Sequence, residues 1–157
     1  HRTAEGLKAE GYGIVLIGGP GDEAVCTELA GRTSPPLLDL SGKLSITESA
    51  AMLSLCSLLV TNDSAPLHMA EAVGTPVVAL FGPTVREFGY YPQLPSSAAI
   101  EVEMNCRPCS RNGARPCPIG TKACLVSIEP ERVLQAVKDT LAGKESQSTG
   151  EDSHRCI

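Results

Sequence analysis

Short apolar runs alternate along this chain with segments whose apolar residues recur at helical spacing. The runs at residues 14–17, 37–39, 58–61 and 77–81 are rich in Val, Ile and Leu and bounded by Gly, Pro or polar turns, which predicts buried strands. Residues 3–10 read as the end of a helix, and Asp22 precedes a short amphipathic helix over about 23–30. Ser45-Ile46-Thr47-Glu48 fits a capping box opening a helix with Ala50, Leu53 and Cys56 on one face. A further helix is expected over about 65–73. Residues 85–98, with Gly89, Pro92 and Pro95, read as a loop, and 99–102 as a last short strand. Pro130 opens a final helix keeping Val133, Val137 and Leu141 on one side. The β-α-β alternation implies an α/β fold: a right-handed, mostly parallel, Rossmann-like sheet with helices on both faces. Residues 1–142 are expected to form one domain, and the polar residues 143–157 a disordered tail.

Composition narrows this picture. With no Trp, two Phe and three Tyr, the interior must be built from Leu, Val, Ile and Ala. A net charge of −5, with no basic cluster interleaved with aromatics, argues against nucleic acid as the main partner. No apolar run approaches membrane-spanning length and residues 1–6 lack a signal-peptide core, so a soluble, cytoplasmic chain is expected.

The most informative stretch is residues 60–76, where strand, polar turn and helix follow one another. Pro66 suits a first helical turn, and Gly74 followed by Pro76 ends the helix. The N–H groups of Ser64, Ala65 and Leu67 are expected to be free beyond the carboxyl end of a strand, where the helix dipole favours a phosphate.

These residues, followed by Phe81-Gly82-Pro83-Thr84, resemble the C-terminal signature of the family 9 glycosyltransferases, which include the ADP-heptose:lipopolysaccharide heptosyltransferases. Asn62-Asp63-Ser64-Ala65-Pro66-Leu67-His68 matches the family pattern except that Ala65 stands where glycine is usual. A left-handed backbone there would cost alanine about 1 kcal/mol or more. Further landmarks are the 17–23 and 38–46 segments, the cysteine cluster and residues 128–133. The resemblance implies the C-terminal, donor-binding half of a GT-B fold. In that family a strand, a glycine-containing loop and a whole N-terminal domain precede the helix at 3–10, so the chain reads as a C-terminal fragment.

The resemblance also implies roles. Asp63, Ser64 and Ala65 would line the donor diphosphate, with Asp63 bonding a sugar hydroxyl or orienting the loop, since a carboxylate repels phosphates. Taken alone, Asp63 is a helix cap or turn residue. His68, otherwise a packed core histidine, would face the same site. Lys43 and Leu44, otherwise a solvated lysine and a core leucine, would lie beside the nucleotide base. Glu23, otherwise a solvated first-turn residue, would bond a ribose or sugar hydroxyl.

Cys106, Cys109, Cys117 and Cys124 are spaced C-x2-C-x7-C-x6-C among Arg107, Arg111 and Arg115. In a reducing compartment this suggests a structural zinc site more than disulfides, with free or redox-sensitive thiols as the alternative. Cys26 and Cys56 read as core thiols and Cys156 as a tail thiol.

The implied activity is inverting transfer of a sugar from a nucleotide-diphosphate donor, ADP-heptose or another nucleotide-activated sugar, to a lipopolysaccharide core or related glycan, by an enzyme working in the cytoplasm at the inner face of the membrane. No cofactor is required. The general base is expected in the N-terminal domain, so none of this chain's residues is assigned a catalytic role and the isolated chain is expected to be inactive. The contrasting reading is a non-catalytic nucleotide-binding or zinc-clamped module. Another GT-B relative, such as a nucleotide-sugar epimerase, fits less well because it lacks the Phe-Gly-Pro-Thr and cysteine landmarks.

Overall fold

The computed structural model describes residues 1–145 and Ile157. Helix α1 (Arg2–Ala9) leads to β1 (Val15–Leu16), α2 (Glu23–Gly31), β2 (Leu38–Asp39), α3 (Ile46–Ser54), β3 (Leu59–Asn62), α4 (Ala65–Ala72) and β4 (Val77–Phe81). A 3₁₀ turn (Arg86–Phe88), β5 (Ala98–Glu101), α5 (Ala123–Val126) and α6 (Pro130–Glu145) complete it. The pairings between these strands are all parallel, β1 with β2, and β3, β4 and β5 in that order. The α/β expectation holds in this Rossmann-like layering. Among the described residues the strands form two parallel groups, with no ladder joining them. Beside β1, Val15 donates to the Ile157 carbonyl at 2.9 Å and Ile157 to the Gly13 carbonyl at 2.8 Å, so that edge is taken.

Central β4 explains how the layers form. Val77, Val78, Ala79 and Phe81 are fully buried, the near-continuous apolar run of a parallel strand covered on both faces. Because side chains alternate along a strand, Val77, Ala79 and Phe81 pack with Leu53 of α3 and with Leu67 and Ala70 of α4. Val78 points the other way, into Leu7 of α1, Ile100 of β5 and Val133 and Val137 of α6. The Tyr91 ring stacks on Phe81 with centroids 3.8 Å apart.

Local signals act as read from the sequence. The capping box at α3 is complete: Ser45 Oγ accepts from the Glu48 amide at 3.3 Å, and Glu48 Oε2 accepts from the Ser45 amide at 2.8 Å. Gly74, at φ +79°, ends α4, and Thr75 Oγ1 donates to the Leu53 carbonyl at 2.7 Å, fixing α3 against the turn into β4. Helix α6 runs through Gly143 to Glu145, and the rest of the expected tail up to Cys156 lies outside the described residues. Among the described residues no helix is long and apolar enough to cross a membrane.

Candidate functional site

Parallel strands bring their carboxyl ends to one edge, and the loops leaving β1, β2 and β3 meet there. The Gly42 amide donates to the Gly18 carbonyl at 3.0 Å, tying the loop after β1 to the loop after β2. Gly42 is a required glycine: its φ is +67°, and a Cβ would lie 2.4 Å from Glu23 Oε1. Between these loops and the start of α4 opens a cleft of about 640 Å³, bordered by Gly18, Gly19, Leu44, Ser64, Ala65 and Met69. That volume suits a nucleotide-sized ligand.

The expected donor residues divide around it. Leu44, Ser64 and Ala65 line the cleft. Ala65 is the first residue of α4, and Lys122 is the one non-glycine residue at positive φ among those described, so the strain considered for alanine does not arise. Leu67 corrects an expectation: its amide donates to the Ser64 carbonyl at 3.1 Å, because the first turn tightens, and is not free for a ligand. Glu23 does not line the cleft; it is exposed, its Oε2 accepting from the Gly21 amide at 2.5 Å. Lys43 is also exposed and donates from Nζ to the Asp39 carbonyl at 2.6 Å, so its charge is turned back along its own loop. His68 is exposed on α4 and lines neither the cleft nor the cavity beside it, which also rules out a packed core histidine.

Asp63 faces the other way, into a separate cavity of about 220 Å³ reached past Asn62, which borders both spaces. Its Oδ2 accepts from Thr84 Oγ1 at 2.7 Å, and the Thr84 carbonyl accepts from Arg107 Nη2 at 2.7 Å. Arg107 is almost wholly buried; its Nη2 also pairs with Glu101 at 2.7 Å, and Nη1 donates to the Val102 carbonyl at 2.9 Å. Tyr91 donates its hydroxyl to the same Glu101 oxygen. The Tyr91 hydroxyl and the Arg107 guanidinium hold the Glu101 carboxyl below its ordinary pKa, while burial and the Glu101 charge push Tyr91 up to about 12. The sequence marks Asp63 and Thr84 within two landmarks and Arg107 within the cysteine segment, but not that these residues bond to one another or to Glu101 and Tyr91.

Three of the four clustered cysteines gather at the smaller cavity. Cys109, Cys117 and Cys124 border it, and among the described residues no three His, Cys, Asp or Glu side chains are grouped to hold a metal ion. Cys117 Sγ instead accepts from the Lys122 amide at 3.4 Å, which with further loop amides lowers its thiol pKa. Burial, together with the neighbouring thiols, raises that of Cys124. The described cysteines are all free.

Residues 2–119 match the family described as glycosyltransferase family 9 (heptosyltransferase). The chain belongs to that family. Lipooligosaccharide heptosyltransferase 2 of Haemophilus influenzae is 33% identical over 150 residues, covering 90% of this chain and 41% of the relative. Lipopolysaccharide heptosyltransferase 3 of Escherichia coli is 42% identical over 87 residues, covering 54% of this chain and 26% of the relative. A solved glycosyl transferase family 9 structure from Veillonella parvula superposes with a TM-score of 0.72 at 27% identity, over 90% of this chain and 40% of its own. The chain thus spans about two fifths of the length of relatives that it matches nearly end to end. As a family 9 chain, it carries the Asn62–His68 and Phe81–Thr84 landmarks at the ends of β3 and β4, where Asn62, Asp63, Ser64, Ala65, Gly82 and Pro83 border the cleft or the cavity.

Proposed function

We propose that this chain is the donor-binding half of a heptosyltransferase that moves a sugar from a nucleotide-diphosphate donor, ADP-heptose, to a lipopolysaccharide core or related glycan. The observation that carries this reading is the cleft beyond the strand ends, where Leu44, the 18–20 loop and the Ser64–Ala65 start of α4 surround one space. The base would lie against Leu44. The diphosphate would lie at the amino end of α4, where the helix dipole and the Ala65 amide favour negative charge as the leaving group departs. The acceptor hydroxyl attacks the anomeric carbon with inversion and gives its proton to a general base outside this chain. The chain alone is therefore inactive, and its function in the whole protein is to hold the donor and receive the leaving charge.

Calorimetry tests this with ADP and ADP-heptose as ligands, UDP and GDP as controls, and Ala65→Glu as the variant that blocks the cleft with a carboxylate. Adenine-selective binding abolished by Ala65→Glu is the expected result. Equal affinity for all three nucleotides, or binding that survives Ala65→Glu, overturns the donor-site reading.

A further inference from the structure

Between Glu103 and Glu129 the chain has no Asp or Glu, although its overall charge is −5. Four cations fall in that interval. Arg107 is buried against Glu101, but Arg111, Arg115 and Lys122 are exposed, and among the described residues their side chains take part in no ion pair. Uncompensated charge of one sign on a loop attracts a counter-ion from outside the chain.

The loop lies where a ligand would meet it. Arg115 and Lys122 border the 220 Å³ cavity together with Asn112, Asp63 and Gly82, so this segment covers the carboxyl ends of β3 and β4. Arg111 and Arg115 border an adjoining hollow of about 480 Å³. The backbone holds Lys122 there at a cost: its φ is +50°, a conformation that L residues avoid and that persists where the surroundings demand it. Those surroundings are visible. The Lys122 carbonyl caps α5, accepting from Leu125 at 2.9 Å and Val126 at 3.1 Å, while its amide donates to Cys117 Sγ. Within the cavity two cations face one carboxylate, Asp63, which is already bonded to Thr84.

We propose that Arg111, Arg115 and Lys122 form an anion subsite that seats a phosphate or carboxylate carried by the acceptor sugar, next to the sugar end of the donor cleft. The proposal rests on the donor-cleft reading for its orientation. Ser64 and Ala65, where the donor's own diphosphate would sit, border the larger cleft and not this cavity, and Asn62 stands between the two spaces. An anion beyond Asn62 therefore belongs to the other reactant, held where its hydroxyl can approach the anomeric carbon.

The test is a titration of the isotope-labelled 157-residue chain, followed by amide NMR, with glucose 6-phosphate, glucuronate and neutral methyl glucoside, and separately with ADP. The two anionic sugars are expected to move the Asn112, Gly113 and Lys122 amides while methyl glucoside does not, and their affinity should fall with added salt. In the Arg115→Gln/Lys122→Gln variant their dissociation constants should rise about tenfold while that for ADP stays unchanged. A preference between the phosphate and the carboxylate sugar would name the group. Equal response to the neutral sugar, no response to either anionic sugar, or an equal loss of ADP affinity in the variant overturns the proposal; the last result would assign these cations to the donor diphosphate. Failure of ADP to bind at all overturns the donor-cleft reading instead, and leaves the sugar titrations to be judged separately.

Discussion

Thr84 Oγ1 donates to Asp63 Oδ2 at 2.7 Å, joining the loop after β4 to the loop after β3. Two landmarks whose bonded residues lie 21 positions apart in sequence thus form one structural unit, and the carboxylate is aimed by a neighbour beyond another strand. Thr84→Val keeps the shape and removes the hydroxyl, leaving Asp63 without this donor. The expected loss is about 1–2 kcal/mol of stability, measured by denaturant unfolding, with weaker ADP-heptose binding by calorimetry. In an Asp63→Asn background the binding penalty of Thr84→Val should shrink, since its target has changed.

Arg107 carries the same unit one step further, to Glu101 and Tyr91. Arg107→Met is expected to cost about 2–3 kcal/mol by chemical denaturation, less than a fully buried pair, because the Glu101 side chain is 41% exposed and can rehydrate. Arg107→Lys should restore only part of this, because an ammonium cannot reach Glu101, Thr84 and Val102 together as the planar fork does.

Stability should depend on pH at both ends through this network. Glu101 is depressed in the folded state, so its contribution is present above the ordinary glutamate pKa and is lost as pH falls through the depressed value. Tyr91 is raised to about 12, so its contribution is present below the ordinary tyrosine pKa of about 10 and is lost as pH rises towards about 12. Thermal melting across pH should show both losses. Glu101→Gln should flatten the acid limb and Tyr91→Phe the alkaline one.

Gly82 lies under the short helix α5. A Cβ at this position would stand 2.7 Å from Leu125 Cγ, closer than side-chain carbons approach. Gly82→Ala should therefore cost about 1–3 kcal/mol and loosen residues 123–126, seen as faster amide exchange there.

Metal removal should do little. Among the described residues no three His, Cys, Asp or Glu side chains are grouped to hold an ion, so a chelator is expected to leave the melting temperature unchanged and added zinc not to raise it. A zinc-dependent rise in melting temperature abolished by Cys109→Ser would contradict this arrangement.

The alternation of strand and helix, the α3 capping box, the buried run of β4 and the start of α4 were all determined by the sequence itself. Each depends on neighbours a few residues apart: side-chain period, a cap three residues from its partner, a proline or glycine at a terminus. The landmarks at 62–68 and 81–84 marked the loops around the cleft and cavity for the same reason, because a strand followed by a short polar turn places them at a sheet edge. Tertiary structure alone decided which side chains face which space. Asp63 and Ser64 are adjacent in sequence yet border different cavities, since a turn sends consecutive residues in different directions. Likewise, no spacing could show that Arg107, in a cysteine-rich loop, would be buried against Glu101 and bonded to Thr84, while Arg111 and Arg115 stay in solvent. Such partners are brought together by the folding of distant strands and loops, so the cost of burying one charge and leaving another unpaired is decided only when the chain is packed.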